Sequence, residues 1–95
     1  MLFIAHCHDK EGHLQIRMDT RPQHLDFLNA KGSDLKLAGP TLAEDGETPN
    51  GSLIIFEATS LEDAKNWIAQ DPYAAAGLFT SVEVQPWKHA IGNGV

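Results

Sequence analysis

Four residues of this chain have side chains suited to moving a proton beside an oxyanion: Arg17, Arg21, His24 and Asp71. An imidazole titrates near neutral pH, which makes it the natural general acid or base there. Guanidinium forks hold carboxylates and other oxyanions. A carboxylate hydrogen-bonded to an imidazole selects its tautomer and stabilises the imidazolium. Arg17, Arg21, His24 and Leu28 fall at i, i+4, i+7 and i+11, one face of a helix that extends back far enough to include Arg17. Each residue also has a plainer reading. His24 suits a helix surface, and both arginines suit solvated positions. Asp71 precedes Pro72 and suits the N-cap of a short helical turn. Capping and pairing are compatible, because one carboxylate oxygen can cap while the other faces a ring. Spacing alone does not bring Asp71 to His24.

His6 and His8 form a second group. Residues i and i+2 of a strand share a face, so the two imidazoles can approach one ion. Two ligands are too few for a specific zinc site. No spacing picks His13, His24 or Glu57 as a third, and no metal is expected. Cys7 points to the opposite face and is expected to pack as a small hydrophobe. Glu57 is expected in water at a sheet end, and Trp67 and Trp87 in packing. Gly32, Gly39, Gly46 and Gly51 are scattered turn glycines rather than a phosphate loop. No nicotinamide, flavin or haem signature is present, and no cofactor is expected.

The elements that must position these side chains follow from hydrophobic pattern and capping signals. Residues 2–8 read as a strand. Thr20-Arg21-Pro22-Gln23 resembles a capping box that opens a helix at Thr20, with Gly32 as its stop. Residues 34–39 read as a strand ended by Pro40, 41–51 as a polar loop, and 52–58 as the most apolar strand. Ser60 caps a second helix, which Asp71-Pro72 breaks before one more turn. Residues 79–85 form a last strand. The order β-α-β-β-α-β predicts a ferredoxin-like α+β fold, a four-stranded antiparallel sheet with both helices on one face. Strands 1 and 3, apolar on both faces, belong in its centre. The uncovered face predicts a homodimer packed sheet against sheet. The alternative is a monomer whose C-terminal tail covers that face through Ile91.

The chain has 95 residues, 42% hydrophobic and 21% charged, which fits one globular domain. We read residues 1–88 as the domain and 89–95 as a tail. Seven Lys and Arg against thirteen Asp and Glu leave a net charge of −6. No basic cluster exists to neutralise phosphates, so nucleic acid and anionic membrane are not expected partners. One cysteine excludes an internal disulfide. The apolar start lacks a basic flank and is too short for a signal peptide. A cytoplasmic location is expected.

The motifs Asp9-Lys10, Arg17, Arg21-Pro22-x-His24-Leu25 and Ala38-Gly39-Pro40 resemble the YciI-like (YCII-related) family. So do Ser60-Leu61-Glu62-x-Ala64, Trp67, Asp71-Pro72-Tyr73-x-Ala75-Ala76-Gly77-Leu78-Phe79 and Val82-x-Val84-x-Pro86-Trp87. The resemblance implies a dimeric α/β barrel built from the ferredoxin-like fold. It also implies a site centred on His24 and Asp71, with Arg21, Gly39 and Pro40, and Arg17 beside them, as substrate-binding residues. The expected activity is acid–base chemistry of the lyase or isomerase kind on a small molecule. The alternative is a non-catalytic ligand-binding or accessory module.

Overall fold

The computed structural model describes residues 1–94. The elements are β1 (Leu2–Asp9), α1 (Leu14–Ala30), β2 (Leu35–Leu42), β3 (Pro49–Glu57), α2 (Leu61–Ala69), α3 (Pro72–Ala75) and β4 (Phe79–Pro86). They form one four-stranded sheet in the order β2-β3-β1-β4. Every neighbouring pair is antiparallel. This is the ferredoxin-like split βαβ arrangement, with the two apolar strands β1 and β3 in the centre.

Alternation along β1 divides the sheet. Phe3, Ala5 and Cys7 are buried among Ile54, Phe56, Leu28, Ala64 and Ile68, beneath the helices. Cys7 is fully buried, and burial pushes its thiol up to about 12, so it stays a protonated packing group. Ile4, His6 and His8 take the other face, where Ile4 pairs with Ile55 and His6 with Leu53. Ile91, at 93% exposure, does not dock on the protein, so the tail does not cover that face in the way the monomer alternative requires.

Helix α1 begins six residues before the apparent capping box, at Leu14, and passes through Pro22. The residues it buries are Arg17, His24 and Leu28. Two of the three are polar, so the apolar stripe that marks a helix in sequence is missing over its first half. Pro22 is exposed, and it deprives only the Met18 carbonyl of its i+4 donor. Gly32, with φ of 63°, takes the left-handed position that follows the helix. Strand β2 continues past Pro40, which an edge strand tolerates because it leaves one row of N–H groups unpaired.

Helix α2 begins where expected. The Ser60 hydroxyl accepts the Asp63 N–H, and Glu62 and Asp63 occupy the first turn. The chain then breaks at Asp71, whose carboxylate accepts the Tyr73 N–H at 2.9 Å and caps α3. This cap turns Tyr73 inward, where it is 1% exposed.

Candidate active site

The buried stripe of α1 and the α3 cap meet over the β2 half of the sheet. His24 Nδ1 lies 2.8 Å from Asp71 Oδ1 and 3.0 Å from Oδ2. Asp71 is fully buried and His24 is 6% exposed. A carboxylate only accepts, so the ring nitrogen facing it carries the proton. In the neutral ring, Nε2 is then left as the acceptor. Asp71 thus holds both roles read from the sequence, cap and imidazole partner.

Tyr73 fixes the ring from a second direction. Its phenol stacks on the His24 imidazole with centroids 3.9 Å apart and planes 15° from parallel. The Arg17 guanidinium lies 4.6 Å from the same ring centroid. A desolvated cation–π contact of this kind stabilises by up to about 2 kcal/mol. Burial raises the Tyr73 phenol above its ordinary value. Arg17 pulls it back and Asp71 adds to the rise.

Arg17 is itself held on three sides. Its Nε donates to Asp9 Oδ2 at 2.7 Å, and its Nη2 donates to Asp9 Oδ1 at 3.1 Å and to Ser52 Oγ at 2.8 Å. The fork geometry suits guanidinium and carboxylate, and the pair is almost wholly buried. Arg17 therefore borders the site with its Nε and Nη2 donors engaged, while Nη1 has no hydrogen-bond partner among the described residues. Arg21, one turn on, is exposed and forms no ion pair among the described residues.

These groups line a cavity of about 390 Å³. Arg17, Arg21 and His24 enter it from α1, Tyr73 from α3, Gly39 and Pro40 from β2, and Ser52 and Ile54 from β3. Of the site residues that the resemblance implies, all are on its wall except Asp71, which stands behind His24. Leu42, Glu47 and Pro49, around the β2–β3 turn, complete the rim. Asp45 closes that turn by accepting the Glu47 and Thr48 N–H groups and the Thr48 hydroxyl. These hydrogen bonds, led by the hydroxyl, hold the Asp45 carboxyl down at about 2.

Sequence reasoning missed Tyr73, Asp9 and Ser52 as parts of this site. Tyr73 carried a usable signal: in a turn capped by Asp71, it is the residue whose N–H the cap accepts. Asp9 and Ser52 carried none, because their link to Arg17 spans three elements. His6 and His8 lie outside the cavity, on the opposite face of the sheet.

The fold has counterparts among known proteins. The family described as the YCII-related domain matches residues 1–88. Protein YciI of Escherichia coli O6:H1 is 39% identical over 95 residues, covering 93% of this chain and 97% of its own. An uncharacterized protein of Haemophilus influenzae is 37% identical over the same shares. Among solved structures, 5-chloro-2-hydroxyhydroquinone dehydrochlorinase from Burkholderia phenoliruptrix, in complex with 2,5-dihydroxybenzoquinone, superposes with a TM-score of 0.86. It is 35% identical, and the match covers 95% of this chain and 96% of that one. SnoaB, a cofactor-independent oxygenase from Streptomyces nogalater, shares the fold at a TM-score of 0.57 and 13% identity, over 97% of this chain and 96% of its own. A family match across nearly the whole chain, with relatives this similar over almost their full length, settles membership: the chain belongs to the YCII-related family.

Proposed function

We propose that the cavity is the active site of a small-molecule enzyme in which His24 moves a proton and Asp71 holds it in the required tautomer. The observation that carries this reading is the division of the imidazole. Nδ1 is bound to a fully buried carboxylate, while the ring lines the cavity and Nε2 has no partner among the described residues. A general base needs that free acceptor edge. Arg21 supplies an unpaired positive charge at the cavity wall for an anionic or enolate oxygen. Arg17 is a positioning residue, bracing Tyr73 against the ring. The reaction class is proton abstraction with elimination or isomerisation, which needs no cofactor. The chlorinated hydroxyhydroquinone named for the relative at 35% identity makes a small hydroxylated ring the first substrate class to try.

In the same proposal the protein works in the cytoplasm as a homodimer joined through the open sheet face, where Ile4, Leu53 and Ile55 line up. The resemblance to dimeric α/β barrels and the undocked tail support that assembly.

The test uses 5-chloro-2-hydroxyhydroquinone as probe and chloride release as readout. In the keto tautomer of the probe, where the chlorine-bearing carbon carries a hydrogen, a hydroxyl proton goes to Nε2, the O–H electron pair becomes a new C=O bond, and chloride leaves with the C–Cl electron pair to give a hydroxybenzoquinone. Wild type is expected to exceed the buffer rate, and His24→Ala to fall by ~10²–10⁴-fold. Equal turnover in His24→Ala overturns the mechanism. Binding of 2,5-dihydroxybenzoquinone with no chloride release from the probe overturns the enzyme reading in favour of a binding module.

A further inference from the structure

The face of the sheet away from the helices carries a second cluster that the reaction does not use. His6 and His8 emerge there from β1 with ring centroids 4.0 Å apart. The β1–β4 register sets Glu83 directly opposite His6, and Glu83 Oε1 lies 3.3 Å from His8 Nε2. One ligand atom from each of the three lies within 4.8 Å of the others, and no other trio of His, Cys, Asp or Glu gathers so closely among the described residues.

We propose that His6, His8 and Glu83 bind a divalent cation of the zinc class, one per chain. Two neutral imidazoles and a carboxylate are the donor set of open zinc sites, where water fills the fourth position. Zinc donors at ~2.0–2.2 Å around a tetrahedron stand ~3.3–3.6 Å apart. The His8–Glu83 separation already matches that edge, and the wider distances within the cluster close by side-chain rotation. In the single chain all three residues are half-buried or exposed. A cavity of about 180 Å³ beside His6 and Glu83, bordered by Ile4, Leu53 and Gln85, leaves room for the fourth ligand. The net charge of −6 favours a cation. The bound ion ties the edge strand β4 to the central strand β1 on the face the helices leave open. The site is independent of the His24 cavity, since the sheet separates them.

The test titrates the metal-depleted full chain with Co²⁺ and follows visible absorption, with Zn²⁺ as displacing ion. One equivalent per chain is expected, with the intense bands of a low-coordinate ion that Zn²⁺ abolishes. His8→Ala and Glu83→Gln, checked for an unchanged far-ultraviolet spectrum, are each expected to weaken binding by more than ~100-fold, beyond the ~10–100-fold that loss of an outer-shell partner costs. His89→Ala is expected to bind like wild type. Absence of binding to wild type overturns the site. So does binding that survives both substitutions, or that disappears in His24→Ala instead.

Discussion

The carboxylate of Asp71 receives two donors that belong to one assembly. It lies 2.8 Å from His24 Nδ1 and accepts the N–H of Tyr73, whose ring stacks on that same imidazole. Removing the carboxylate therefore strips a buried ring N–H and a helix cap together. Asp71→Ala is expected to cost about 2–6 kcal/mol, from two buried donors at about 1–3 kcal/mol each. Asp71→Asn keeps an oxygen for the cap and is expected to cost less than half of that. Its turnover of the probe should nevertheless fall by ~10²-fold or more, because an amide does not hold the ring as a carboxylate does. Urea denaturation and chloride release on the same samples check both halves.

Arg17 and Asp9 form a pair with side chains only 5% and 7% exposed. Removing one partner leaves a buried charge without compensation. Arg17→Met is expected to destabilise by about 3–5 kcal/mol, and Asp9→Asn with Arg17→Met together by less than the sum of the single changes. A double-mutant cycle in urea measures this. Strict additivity would show that the two side chains do not interact.

The chain has one tyrosine, so its phenolate absorbance reports Tyr73 alone. Burial raises its folded value. An acid whose folded value lies above its unfolded one keeps its full contribution to stability below the unfolded value, about 10. It loses that contribution as pH climbs from there through the folded value. The 295 nm titration is expected to stay flat past pH 10 and then rise together with loss of far-ultraviolet ellipticity. A smooth transition centred at 10 in the folded protein would contradict the buried stacking.

Gly51 is buried where β3 passes between β1 and β2. A Cβ there would overlap the Cys7 carbonyl, which is backbone and does not yield, as well as the Thr41 hydroxyl. Gly51→Ala is expected to destabilise by about 1–3 kcal/mol. Because the next residue is Ser52, which holds Arg17, probe turnover should fall as well. Thermal melts and chloride release distinguish this from a neutral surface change.

Much of this organisation was legible in the residues. The alternation of β1, the apolar β3, the Ser60 cap and the Asp71-Pro72 break fix the order of elements, and two doubly apolar strands fix the centre of the sheet. The pairing of His24 with Asp71 was reachable only through the resemblance, because 47 residues separate them. The start of α1 was misplaced for a physical reason. Its inward face carries Arg17 and His24 where an ordinary helix carries leucine, so the signal that locates helices disappears where the site is built. Glu83 could not be joined to His6 and His8, because cross-strand register is set by the whole sheet. Asp9 and Ser52 were hidden for the same reason.

The central claim is that Asp71 leaves Nε2 of His24 as the proton acceptor facing the cavity. Long-range ¹⁵N–¹H correlation of the His24 ring, at a pH where the ring is neutral, tests it directly. The expected result is a protonated Nδ1 and a bare Nε2 in wild type, with that preference lost in Asp71→Asn. A wild-type ring protonated at Nε2, or a tautomer indifferent to Asp71→Asn, would contradict it.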